Sequence, residues 1–201
     1  MKELGNRYVV ATLLTAWMSF GLAAPAQAED ISEYLTGEIA HLVPVSRDVN
    51  VHDFSVVAAD ATGGRRVEKL ANHKGKVLLV TFWAENCIAC RLHLKDLAAA
   101  QQEIGTDTVE VIAINQDGFP HARAAKTLAR WGIHTLAAYQ DYHNDVALRL
   151  KGNPAIRLFG NRPKTLVIDP DGQVRAIANM RKNWTAPEVR TFIEALEEGR
   201  I

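Results

Sequence analysis

The chain has 201 residues, 48% of them hydrophobic and 23% charged, and its 23 Lys+Arg balance 23 Asp+Glu. A near-neutral chain gives no reason to expect nucleic acid or an anionic membrane surface as its main partner. The length suits a single domain with a real core, and no internal repeat or low-complexity tract is visible.

The N-terminus has the form of an export signal. Lys2 and Arg7 flank its start, an apolar stretch runs from Tyr8 to about Ala24, and Ala26-Gln27-Ala28 precedes the acidic Glu29-Asp30. Residues 1–28 are therefore expected to be a signal peptide cleaved after Ala28, with the mature chain in the periplasm. The competing reading is an uncleaved anchor formed by residues 8–24, although that stretch is short beside the roughly 20 residues a span needs. No Cys follows the apolar run, so a lipid anchor on cysteine is excluded.

Residues 29–48 are expected to form an amphipathic arm or linker, because Ile31, Leu35, Ile39 and Leu42 fall at helical spacing and Pro44 ends the pattern. The stretch from 49 to 201 is expected to be one domain. Val49 to Ala58 reads as an edge strand leading into the turn Asp60-Ala61-Thr62-Gly63-Gly64. Leu70 to Gly75 reads as a loop or a short helical turn, and Lys76 to Phe82 as a strand covered on both faces. Cys87 to Ile104 is helical and stopped by Gly105. Val109 to Ile114 is a strand, Pro120 to Trp131 a helix and Leu136 to Tyr139 a short strand. Asp145 to Phe159 is helical in two pieces, broken by Gly152 and Pro154. Thr165 to Ile168 and Val174 to Ala178 pair through the turn Asp169-Pro170-Asp171-Gly172. The last helix carries Val189, Phe192, Ile193 and Leu196, with Thr185 and Glu188 spaced as a capping box. Alternating strands and helices followed by a hairpin and a closing helix predict an α/β sandwich with a mixed central sheet flanked by helices.

The chemistry is concentrated in Cys87-Ile88-Ala89-Cys90, which holds the chain's two cysteines directly behind an apolar strand and at the start of a helix. Free N–H groups and the positive end of the helix dipole there stabilise a thiolate. A bridge across two residues removes little unfolded-state entropy, which makes it a poor staple and a good redox couple. The alternatives are two inert buried thiols or half of a zinc site, and zinc calls for further Cys or His ligands at short spacing. No cofactor is expected beyond the redox-active Cys87–Cys90 disulfide, and no metal.

The run Leu78-Leu79-Val80-Thr81-Phe82-Trp83-Ala84-Glu85-Asn86-Cys87-Ile88-Ala89-Cys90-Arg91 resembles the active-site segment of thioredoxins. It is closer still to the exported TlpA/ResA/DsbE-like thiol–disulfide oxidoreductases. Pro163-Lys164-Thr165-Leu166-Val167-Ile168-Asp169 resembles that family's Pro-Thr-x-Phe-x-Ile-Asp segment, and Val111-Ile112-Ala113-Ile114-Asn115 the strand between them. The resemblance spans about Val51 to Leu196 and implies a thioredoxin-like fold. It also implies that Pro163 is cis and faces the dithiol, where it admits an extended substrate segment and keeps metal off the thiols. Cys87 would be the attacking thiolate and Cys90 the resolving thiol, with Trp83 packed beside them. Arg162 and Lys164, if at the rim, would lower the thiolate pKa and favour acidic partner surfaces, with a scattered solvent-facing cation an equal reading for Lys164.

The departures from the family pattern bear on proton transfer. Ala89 replaces a usual proline, Asn86 a usual tryptophan, Thr81 the buried Asp of thioredoxin, and His93 the Glu of the exported reductases. His93 lies one turn beyond Cys90, either exchanging protons with it or standing in solvent. Glu85 reads as a surface group, and His121, His134 and His143 carry no metal spacing.

The expected function is a periplasmic thiol:disulfide oxidoreductase. By resemblance it would be a reductase for partner proteins such as those of cytochrome c or cytochrome oxidase maturation, recharged by a membrane dithiol donor such as a CcdA/DsbD-like protein. The alternatives are a Sco-like copper-delivery protein using the two thiols, and a non-catalytic interaction module that kept the fold.

Overall fold

The computed structural model describes residues 30–45, 49–59, 64–118, 121–141, 145–152 and 163–201. The signal-peptide stretch, Arg162, His143 and the turn residues 60–63 lie outside them.

The centre of the molecule is β4 (Val77–Trp83), a run of seven buried residues. An uninterrupted apolar strand needs cover on both faces and neighbours on both edges. It pairs in parallel with β5 (Val109–Asn115) and antiparallel with β7 (Lys164–Ile168). The sheet extends from β5 through β6 (Ala138–Gln140) to β2 (Ser55–Ala59) and β3 (Arg65–Lys69). On the other side it runs from β7 through β8 (Val174–Ala178) to β1 (Val43–Pro44), which completes the order β1-β8-β7-β4-β5-β6-β2-β3. This is the mixed sheet expected from the alternating pattern.

The two-residue period of β4 divides the interior. Val77, Leu79 and Trp83 join one core with α1 (Ile88–Glu103), α2 (His121–Arg130) and α4 (Pro187–Glu197). Leu78, Val80 and Phe82 face a second core with Val49, Val51 and Phe54, covered by α3 (Asp145–Lys151) through Val146 and Leu150.

Three local expectations are corrected. The helical spacing of residues 31–43 is realised as two 3-10 turns, Ile31–Tyr34 and Gly37–Ile39, followed by β1. Gly37 has φ 52°, and a Cβ there would fall 2.1 Å from the Glu188 carboxylate, which accepts the Glu38 N–H at 2.6 Å. This junction turns the chain so that Ile39 and Leu42, 0% and 4% exposed, enter the core. The strand expected at the sheet edge within Val49 to Ala58 is β2, and it is not an edge. It pairs with β6 on one side, and on the other Val57 pairs with Val67 of residues 65–69, which form the edge strand despite having no apolar run. The capping box of the last helix does not form. Pro187 occupies the first turn and Ala186 the cap, Thr185 Oγ1 donates to Asn183 at 2.9 Å, and Glu188 is spent on Glu38.

Candidate active site

β4 ends at Trp83, and the chain crosses Ala84-Glu85-Asn86 to Cys87, the N-cap of α1. Two contacts hold this crossing. Cys87 N–H donates to the Ala84 carbonyl at 3.2 Å, and Glu85 N–H donates to Asp117 at 2.7 Å. The Glu85 carboxylate is then gripped from α2, accepting from Arg123 at 2.7 Å, Arg130 at 2.5 Å and Thr127 at 3.3 Å. Those partners, Arg130 first, hold Glu85 below the usual carboxylate range. Glu85 is therefore an anchor of the loop rather than a plain surface group. The acid lies in α2's partner loop, 38 residues from Arg123, so nothing in local sequence spacing signals it.

Cys87 and Cys90 form a disulfide with Cα atoms 5.1 Å apart. Cys90 N–H donates to Cys87 Sγ at 3.0 Å. One of the orphan donors of the helix start is thus aimed at the sulfur that would carry negative charge after reduction, and the helix dipole acts in the same direction. Cys87 is part-exposed, whereas Cys90 is 4% exposed and packs in the core beneath it. Trp83 is 1% exposed and lies against Trp131 with ring centroids 5.4 Å apart.

Below the dithiol, three uncharged polar groups occupy the strands and helix. Thr81 and Thr165 face each other across β4 and β7, and Thr81 Oγ1 donates to the Lys164 carbonyl at 3.1 Å. His93 is 0% exposed, with Nε2 2.7 Å from Thr165 Oγ1 and its ring 6.5 Å from Trp184. The reading that placed His93 in solvent is overturned, because its face of α1 packs inward with Cys90, Leu94 and Leu97. Its Nδ1 has no hydrogen-bond partner among the described residues. A buried orphan N–H is costlier than a bare lone pair, which favours the tautomer with the proton on Nε2, facing Thr165, and Nδ1 as an open acceptor. Burial, partly opposed by Asp96 and reinforced by Arg181, pushes the His93 pKa down to about 4. Arg181 and Asp96 pair through two contacts, the longer at 2.8 Å. Thr165 was not singled out from the sequence. Its only visible signal was a hydroxyl at the head of an apolar run, Leu166-Val167-Ile168.

Pro163 is buried at the head of β7. The peptide bond that precedes it involves Arg162, so the expected cis geometry and the expected role of Arg162 lie outside the described residues. Lys164 is 6% exposed and pairs with Phe82, on the sheet face opposite Thr165, and burial lowers its pKa. It is neither a solvent-facing cation nor on the sheet face that carries Thr81 and Thr165. His134 is exposed, as an ordinary surface histidine would be.

The family model for AhpC/TSA matches residues 49–177. A candidate DsbE thiol:disulfide interchange protein from Chlorobium tepidum is 25% identical, with a TM-score of 0.54 over 76% of this chain and 99% of that one. A thioredoxin-family thiol:disulfide interchange protein from Chlorobium tepidum TLS is 19% identical, with a TM-score of 0.56 over 76% and 98%. A thiol:disulfide interchange protein from a Bacteroides species is 20% identical, with a TM-score of 0.55 over 75% and 93%. The last two show the shared fold. Together with the family match they agree with the thioredoxin-like, TlpA/ResA/DsbE-like resemblance of the sequence.

Proposed function

The chain belongs to the AhpC/TSA family and is a thiol–disulfide oxidoreductase, and from that premise we propose that it works outside the cytoplasm as a reductase of protein disulfides. The observation that carries the reading is the dithiol itself, a part-exposed Cys87 capping a sixteen-residue helix with the Cys90 N–H on its sulfur and Cys90 sheltered beneath.

In the reduced chain, the Cys87 thiolate attacks one sulfur of the partner disulfide. A Cys87–partner bond forms and the partner's other sulfur leaves as a thiolate. Cys90 then loses its proton and attacks Cys87 Sγ, which closes the Cys87–Cys90 disulfide and releases the partner's second thiolate. The partner gains two electrons, and with two protons it ends as a dithiol. His93, one helical turn beyond Cys90, is proposed to stay neutral through this step. With a pKa pushed down to about 4 it does not hold a proton at working pH, so its open Nδ1 serves as a hydrogen-bond acceptor while the Cys90 proton leaves to water. The buried carboxylate of related proteins is thereby replaced by a neutral His93–Thr165 pair. Pro163, beside this pair at the head of β7, is proposed to seat the substrate backbone.

The export-like stretch 1–28 supports a periplasmic location. No helix among the described residues is long and apolar enough to cross a membrane. By the family resemblance, the partners proposed are proteins of cytochrome c or cytochrome oxidase maturation, and the electron donor a CcdA/DsbD-like membrane dithiol protein.

Insulin reduction tests the reading. Cys87→Ser is expected to abolish turnover, and Cys90→Ser to abolish turnover while accumulating a mixed disulfide visible on a non-reducing gel. Full turnover by the Cys87 variant would overturn the proposal.

A further inference from the structure

The inner face of α1 is accounted for by the core, and its outer face is not. Ile88, the residue after Cys87, is 82% exposed, and Leu92, one turn further on the same face, is 45% exposed. Surface rows of a helix are ordinarily polar, yet here an aliphatic row begins next to the reacting sulfur. Arg91 and Lys95, also exposed and also four residues apart, run alongside it. The one acid in the first nine residues of α1 is Asp96, and Arg181 holds it, so the two cations are not neutralised from their own helix.

We propose that this row is the docking face for the polypeptide whose disulfide Cys87 opens. The segment it fits has a bulky apolar side chain beside the attacked cysteine and acidic residues a few positions away. The inference rests on the dithiol-exchange reading above, because the exchange dictates what covers the row. Once Cys87 Sγ is bonded to a partner sulfur, the partner backbone lies within about 7 Å of the Cys87 Cα. Ile88, 82% exposed and adjacent to Cys87, then lies beside the partner chain, and the partner side chain next to the bonded cysteine is the group in reach of it. Leu92 extends the apolar contact by one turn, and Arg91 and Lys95 set the sign of charge that is favoured. A second copy of this chain seated on the same row would cover Cys87 and block exchange, which makes it the wrong occupant for a working enzyme.

Two disulfide peptides of equal length test this, one with Leu beside the cysteine and Asp residues nearby, the other with Ser and Lys at those places. The wild-type chain is expected to favour the first by about tenfold in kcat/KM, mainly through KM. The variant Leu92→Ser with Arg91→Glu and Lys95→Glu is expected to reduce that preference to about twofold or less. Arg91→Glu with Lys95→Glu alone should improve the Lys peptide relative to the Asp peptide. Ile88 is left in place because a change between the two cysteines would alter the dithiol itself. A preference that the triple variant retains in full, or a wild-type chain that treats both peptides alike, would overturn the docking face while leaving the exchange reading intact. A wild-type chain that reduces neither peptide would overturn the exchange reading. Sedimentation showing a dimer that Leu92→Ser dissociates would assign the row to a second copy instead.

Discussion

Burying His93 removes the imidazolium form from the ordinary working range of pH. In the fold its pKa is pushed down to about 4, whereas the unfolded chain has the reference value of 6.5. Between those values the unfolded state binds more protons, so stability is complete above about 6.5 and declines as pH falls toward 4, by roughly 3 kcal/mol. Urea unfolding between pH 7 and pH 4 is expected to show this loss, and His93→Gln to remove most of it. An unchanged slope in the variant would contradict the buried neutral imidazole. The pairing with Thr165 also explains why the residue was hard to read in advance. Helical spacing places His93 near Cys90, but whether that side of the helix faces water or a strand hydroxyl depends on β7, which lies 72 residues away in sequence.

At the scale of elements, the junction of β4 with α1 was legible because both halves announce themselves locally. A seven-residue strand with six apolar residues and a Cys at a helix start are patterns that neighbouring residues complete on their own. What tethers the junction was not legible, since Glu85 is gripped by Arg123 and Arg130 from a helix whose docking depends on the whole sheet. Removing the grip with Arg123→Ala and Arg130→Ala is expected to free the loop that presents Cys87. Amide exchange at Asn86 and Cys87 should quicken while exchange within β4 stays slow. Equal protection in the variant and the wild type would show that Asp117 alone holds the loop. The same contrast separates α4, whose apolar stripe was read correctly, from its start. There, Pro187 and the demand of Glu38 for Glu188 displaced the capping box.

For the molecule as a whole, the α/β sandwich followed from alternation of strand and helix patterns, and its edges did not. β1 is two residues long and β3 is built from Arg65, Arg66, Val67, Glu68 and Lys69, so neither carries a hydrophobic signature. Both exist because a neighbouring strand offers unpaired backbone groups. The segment from 30 to 45 is likewise held by tertiary contacts, with Ile39 and Leu42 in the core and β1 on β8. A chain beginning at Val49 is therefore expected to lose at least about 2 kcal/mol of unfolding free energy, the cost of one vacated large aliphatic site, read from urea denaturation. An unchanged midpoint would mean that this segment only rests on the domain. All of this architecture serves to present one sulfur and shelter another. The most direct test is the pH dependence of iodoacetamide alkylation of the freshly reduced protein, followed site by site by mass spectrometry. The account predicts that Cys87 reacts first, with an apparent pKa below the value of about 8.5 for a free thiol, while Cys90 stays protected. Cys90 reacting first, or Cys87 titrating like a free cysteine, would contradict it.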